Sequence, residues 1–320
     1  MESKTSNIGA FIKRVRQERN ITQKQLVEGL CDVSTLSRIE RGIFIPTNYL
    51  QNMLLQRLGY YSSRAGGGTW EESNAELTKS HHMQELSKAI KRRDIAEMQR
   101  LVAILEKNNE YGSGIELQRL LNSRVILAIY KAEDEGSDID FDFCTKTLRK
   151  SIFITIPSFD ESKIRNYVLT GEELRCINTM GGVYFYKKDY ESALNILYAL
   201  KDNLDKFWID KFEVAGHYTS IMTGIALQLY MLKQYDVCLD ACKEAYDFCV
   251  EHIDYYRIPA LLLIKGKCLA ETGKTKEAKQ TLRDACHVFR IFRMEKDANE
   301  AADYYYNTYG TKINFHQPKI

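Results

Sequence analysis

Proline is scarce, four residues in 320, so little interrupts long helices. No run is long and apolar enough to cross a membrane, and the opening MESKTSNIG lacks a signal-peptide apolar region. A cytoplasmic chain is therefore expected. The eight cysteines (Cys31, Cys144, Cys176, Cys238, Cys242, Cys249, Cys268, Cys286) form no C-x-x-C pair, and in a reducing compartment they read as buried thiols. Cys238, Cys242 and Cys249 share one helical face, but repeat positions that want small groups explain two of them better than a metal or redox site does. The six histidines have no evident carboxylate or cysteine partners, and the adjacent His81 and His82 do not share a helical face. There is no Gly-rich phosphate loop, no G-x-S-x-G and no H-E-x-x-H. Acidic pairs such as Glu71-Glu72 and Glu172-Glu173 read as solvated helix-end charges. These absences argue against an enzyme, a metal site or a cofactor.

What is present begins at residue 22, in TQKQLVEGLCDVSTLSRIERGIFIP. Thr22 suits an N-cap, and Leu26 and Leu30 share one face of a helix over 23–30, with Lys24, Gln25 and Glu28 outward. Cys31 and Asp32 form a tight connection, with Asp32 placed to cap a second helix over 33–41 on which Leu36 and Ile39 face inward. Gly42 ends that helix and Pro46 prevents its continuation. Ile8, Ile12 and Val15 give a leading helix its inner stripe; Tyr49, Met53 and Leu54 do so for a trailing helix that stops at Gly59. Four or five short helices around a small core make a helix-turn-helix domain over residues 1–61.

In such a domain the N-terminal part of the second helix of the pair meets base edges in the major groove. Val33, Ser34 and Arg38 become base-reading candidates, with Thr35 and Ser37 beside them on the same helix. Arg38 suits bidentate contact with guanine and Val33 a thymine methyl. Thr22, Gln23, Lys24 and Arg41 are placed for backbone phosphates, which position the protein without reading sequence. Residues 1–64 carry ten Lys or Arg against five acids, net +5, while the whole chain is +2, leaving the remainder slightly acidic. That division matches a DNA-binding end joined to a sensor or assembly domain.

The run L-x-x-x-L-C-D-V-S-T-L-S-R-I-E-R-G, with Gln23 before it and Pro46 after it, resembles the helix-turn-helix of the XRE or phage-repressor class. Its turn is one residue shorter than in phage repressors, with Cys31 where glycine is usual. That variant is similar to the RRNPP group of Gram-positive regulators, which join this domain to tetratricopeptide-like repeats and respond to short signalling peptides. The resemblance also implies a buried Arg–Glu brace, for which Arg38 with Glu40 or Arg14 with Glu40 are the candidates. Use of Arg38 there would weaken its base-reading role.

SSRAGGGTWEESN follows Tyr61, and its three consecutive glycines suit neither helix nor strand, so residues 62–82 read as a linker. Residues 83–320 read as an all-α solenoid of tetratricopeptide-like hairpins serving as sensor and dimerisation domain. Ile177, Met180, Gly181, Tyr184, Ala193 and Leu197 occupy the packing positions of one repeat. Met222, Ala226, Leu229, Cys238 and Cys242 occupy those of a second, and Leu262, Gly266, Leu269, Ala278 and Leu282 those of a third. Weaker hairpins pair 83–91 with 95–105 and 115–132 with 141–152; a terminal helix over 298–309 caps the far end.

The first helices of such hairpins line a concave wall suited to an extended peptide. The register places Arg175, Asn178, Gly182, Phe185 and Tyr186 there in the first repeat, Ser220, Thr223, Leu227 and Tyr230 in the second, and Leu263, Lys267 and Glu271 in the third. Asn178 is the leading candidate, because it resembles the amides by which RRNPP sensors hold a peptide backbone. The combined expectation is a cytoplasmic transcription regulator that binds a double-stranded DNA operator as a homodimer and senses a short signalling peptide. Two other readings stay open: a peptide-independent phage or mobile-element repressor whose repeats only dimerise, and a protein–protein adaptor.

Overall fold

The computed structural model describes residues 6–60, 74–107, 114–207 and 214–313; every regular element in these stretches is helical. The chain divides into two compact units, Met1–Lys187 with Asp202–Glu213, and Lys188–Lys201 with Val214–Ile320.

The first unit opens with four helices, α1 (Ser6–Glu18), α2 (Gln23–Val27), α3 (Val33–Glu40) and α4 (Asn48–Arg57). Ile12, Val15, Ile21, Leu26, Leu36, Ile39, Met53, Leu54 and Leu58 fill their common core. Helix α2 is three residues shorter than its apolar spacing suggests. Gly29 adopts a left-handed φ of 71°, so Val27 joins Leu26 in the core and Leu30 is only half-buried. Asp32 stands at the N-cap of α3 but makes no side-chain capping bond. Thr47, a residue the spacing did not single out, caps α4 through Leu50 N, 3.2 Å from its hydroxyl. Tyr49 lies on the open side of α4, 52% exposed, rather than on the inner stripe.

Residues 61–73 lie outside the described residues; the rest of the expected linker, residues 74–82, is the start of α5 (Asn74–Arg92). Helix α5 packs on α6 (Ile95–Lys107), joined through Met83, Leu86, Met98, Leu101 and Leu105 to Leu120 of α7 (Gly114–Glu135). Helices α8 (Phe141–Phe153) and α9 (Gly171–Tyr186) follow, with a 3-10 turn at Glu161–Asn166 between them.

The four-helix domain is seated on this part of the same unit. The side chain of Arg57, 1% exposed, donates to the carbonyls of Leu26 (3.0 Å) and Glu28 (2.6 Å) at the end of α2, and to Oε1 of the fully buried Glu173 (3.2 Å). Glu173 closes the capping box of α9, its Oε2 accepting from Thr170 N at 2.6 Å. One guanidinium thus satisfies the open carbonyls of α2 and the charge at the start of α9.

Helix α10 (Tyr190–Phe207) contributes to both units. In the second unit α11 (Ala215–Met231) packs on α12 (Tyr235–Glu251), α13 (Ile258–Glu271) on α14 (Thr275–Ile291), and α15 (Glu295–Tyr309) closes against α14. Met222, Ala226, Leu229, Cys238, Cys242, Leu269, Ala278 and Leu282 are buried as the repeat register requires, and Leu262 is half-buried. At Gly266 an added methyl would stand 2.7 Å from Leu282, the close helix approach that the small-residue pattern demands. Each hairpin turns through a left-handed residue. At Lys233, φ is 60° and Gln234 N returns to Leu229 O at 2.9 Å; Ile253, Gly273 and Arg293 do the same in the next three turns. The cysteines all remain free thiols, seven of them buried, and desolvation pushes Cys176 up to about 12.

Candidate nucleic-acid interface and ligand-binding faces

Glu40 points inward from the last turn of α3 and is 7% exposed. Arg16, one turn after the buried Ile12 on α1, meets it with two bonds, Nε to Oε1 at 2.7 Å and a terminal nitrogen to Oε2 at 3.0 Å, and a further nitrogen reaches Ile21 O at 3.0 Å. Gln23 Nε2 adds a bond to Oε2 at 2.8 Å. The brace is therefore Arg16–Glu40. Arg14, a third of the way around the helix surface from the inner stripe, makes an exposed i,i+4 contact with Glu18 at 3.8 Å and lies over the Phe11 ring at 5.6 Å. Arg38 is likewise not consumed by Glu40, because positions two apart on the same helix face different ways.

With the core side of α3 occupied by Leu36, Ile39 and Glu40, its outer side carries Val33, Ser34 and Arg38, all exposed, with Thr35 and Ser37 half-buried at the edges. The Arg38 guanidinium lies over the Phe44 ring at 5.5 Å, and the backbone NH of Phe44 bonds Arg38 O at 3.2 Å, so the loop after α3 restricts the predicted base reader. Arg41 is folded back, its Nε donating to Ser37 O at 3.1 Å. Thr22 caps α2 in a reciprocal capping box with Gln25. Thr22, Gln23, Ser37 and Arg41 line one surface recess together with Lys13 and Arg16 of α1, and Lys24 is exposed beside them. Lys13 and Arg16 were not read from the sequence, because the fold, not the spacing, brings α1 to the mouth of the turn. Glu40 also lines the recess, its charge met by Arg16, and the cations Lys13, Lys24 and Arg41 around it suit phosphate oxygens.

On α9 of the first unit, Arg175 is exposed and bonded to Glu172, while Asn178, Gly182, Phe185 and Tyr186 are half-buried. Glu172 also accepts from Arg119 Nε at 2.7 Å. Burial opposes its charge, but the guanidiniums of Arg175 and Arg119 outweigh this and hold its carboxyl below the usual range. Tyr186 is committed to Glu133, its hydroxyl donating at 3.0 Å.

On the second unit α11 and α13 pack together. Thr223 is buried, its hydroxyl returning to Thr219 O at 2.7 Å, so it belongs to the packing and not to an open face. Ser220, Leu227, Tyr230, Leu263 and Lys267 are half-buried, and Glu271 is exposed at the end of α13. Ser220 accepts from Arg257 at 3.1 Å, and burial together with the neighbouring Tyr304 of α15 pushes the Tyr230 phenol up. Lys267 Nζ lies over the Tyr304 ring at 4.9 Å. Arg257 and Tyr304 were missed because the repeat pattern spans two helices, whereas Arg257 sits in the 3-10 turn (Tyr255–Arg257) and Tyr304 on the closing helix. Among the described residues no cluster of His, Cys, Asp or Glu could hold a metal, and no helix is long and apolar enough to cross a membrane.

A helix-turn-helix family model matches residues 12–49. No curated protein sequence matches the chain. The structure of Bacillus thuringiensis PlcR in complex with the peptide PapR7 and DNA is similar over 93% of this chain and 99% of that one, at TM-score 0.60 and 19% identity. The same protein in its apo form matches at 0.54 and 17%, covering 93% and 98%. ComR from S. thermophilus, in complex with DNA and its signalling peptide ComS, matches at 0.51 and 14%, covering 94% and 99%. Residues 12–49 are thus a helix-turn-helix domain, and the chain as a whole has a fold similar to that of PlcR and ComR.

Proposed function

We propose that the protein is a cytoplasmic transcription regulator that binds an operator as a homodimer through α3, and whose helical repeats bind a short peptide that alters promoter binding. The observation that carries this reading is the outer face of α3, where Val33, Ser34 and Arg38 stand exposed on a helix fixed from behind by the buried Arg16–Glu40 pair. An exposed face of that composition on a rigid helix is what direct readout in the major groove requires, with Arg38 leaving the Phe44 ring to reach a base. PlcR and ComR, similar in fold, are complexed with DNA and a peptide, and this supports the same pair of ligands here. Two copies are needed because one such domain makes too few contacts for specific affinity. Residues 62–73 are proposed to link the DNA-binding domain to the repeats. The test combines gel shift with calorimetry on the DNA flanking the gene and on short apolar peptides encoded beside it. Binding of a peptide together with a changed shift supports the reading; DNA binding indifferent to every such peptide leaves a repressor whose repeats serve assembly.

A further inference from the structure

The second unit contains a cation that its own fold leaves unbalanced. Lys267 is half-buried on α13, and among the described residues no carboxylate lies within ion-pair distance of it; Glu300 acts on it only from farther off. Desolvation pulls its ammonium below the usual lysine range. Its surroundings are aromatic: Nζ lies over the Tyr304 ring at 4.9 Å, and Tyr230 of α11 neighbours Tyr304. A half-buried ammonium is costly to desolvate without an acid, so a carboxylate brought to it would be favoured.

The same pair of helices carries a second cation at its other end, Arg257, bonded to Ser220 of α11 at 3.1 Å and with most of its five donors left over. Arg257 and Lys267 stand ten residues apart, about 15 Å along a helix. Half-buried Leu227 of α11 and Leu263 of α13 lie between them in the register. An extended chain of about five residues spans such a distance.

Resting on the peptide-binding reading above, we propose that Lys267, with Tyr230 and Tyr304, is a carboxylate anchor that takes the C-terminal carboxylate of a short apolar peptide, the peptide running along α11 and α13 toward Arg257. The carboxylate supplies the charge that Lys267 lacks, the tyrosine hydroxyls supply donors, and the apolar stretch receives the side chains.

The test uses the full chain and three pools of randomised apolar hexapeptides: free C-terminal acid, C-terminal amide, and amide with glutamate fixed at the last position. Peptides retained by the protein after gel filtration are counted by mass spectrometry. The free-acid pool is expected to be enriched about tenfold or more over the plain amide pool, and Lys267→Met to abolish the difference. Because this substitution removes a half-buried charge without an acidic partner, its melting temperature should not fall below that of the wild type, which separates lost anchoring from lost folding. Enrichment of the glutamate amide pool to the level of the free acids would overturn the terminal assignment in favour of a side-chain carboxylate. Equal retention of acid and amide pools would overturn the anchor while leaving peptide binding intact. Retention of neither pool would overturn both.

Discussion

Arg57 offers the most demanding test of how the helix-turn-helix domain is held. Replacing it with methionine keeps the aliphatic stem and removes every bond the guanidinium makes. Glu173, 0% exposed, is then a buried carboxylate without its cation, and the carbonyls of Leu26 and Glu28 lose their donor. Breaking a buried pair on one side costs about 3–5 kcal/mol, much of it the stranded charge. Neutralising that charge should therefore recover part of the loss. Glu173→Gln can still accept from Thr170 N through its amide oxygen, so the cap of α9 survives. The double variant is expected to regain about 1–3 kcal/mol over Arg57→Met alone. Urea titrations followed by circular dichroism measure all three proteins. A loss below about 1 kcal/mol for Arg57→Met, or a double variant no better than the single, would refute the assignment of this residue as the tie between α2 and α9.

Other outcomes follow from the same geometry. A methyl group at Gly9 would stand 1.9 Å from the Ile39 carbonyl oxygen, so Gly9→Ala should push α1 off α3, cost at least about 3 kcal/mol and abolish DNA binding, read by urea titration and gel shift. Lys233 carries a side chain at a φ of 60°, and Lys233→Gly should stabilise the second unit by about 0.5–1 kcal/mol, relief of the left-handed conformation exceeding the entropy of glycine. The carboxyl of Glu172 is held below its ordinary value of 4.5, so its ionised form stabilises the fold fully above that pH and progressively less as pH falls through the depressed value. Glu172→Gln should flatten the pH dependence of the urea midpoint below about pH 4.5, and an unchanged slope would count against the Arg119–Glu172–Arg175 cluster.

The sequence displayed helix boundaries well where punctuation is local. Thr22, Gly42 and Pro46 bracket the helix pair, and the small residues of the repeats locate the helix contacts. Where a residue's role depends on a distant partner, spacing was silent. Gly29 shortens α2 because its carbonyl neighbours are met by Arg57, 28 positions later, and Gly29 itself sits against Thr155. Arg16, not Arg14 or Arg38, reaches Glu40 because only its position follows the inner stripe of α1. Tyr186 and Ser220 face partners at Glu133 and Arg257 that no periodicity could supply. Tyr49 shows the converse: its spacing matched the inner stripe, yet it packs over Gly114 on the open side of α4.

The central claim is that α3 reads a DNA sequence, and selection from a pool of random duplexes tests it most directly, with wild-type protein and Arg38→Ala compared at one salt concentration. The account predicts that the wild type enriches one motif present as two half-sites, and that Arg38→Ala binds it more weakly by about 1–3 kcal/mol with a lost preference for guanine at one position of each half-site. Failure of the wild type to enrich any motif, or an Arg38→Ala profile identical to it, would contradict the account.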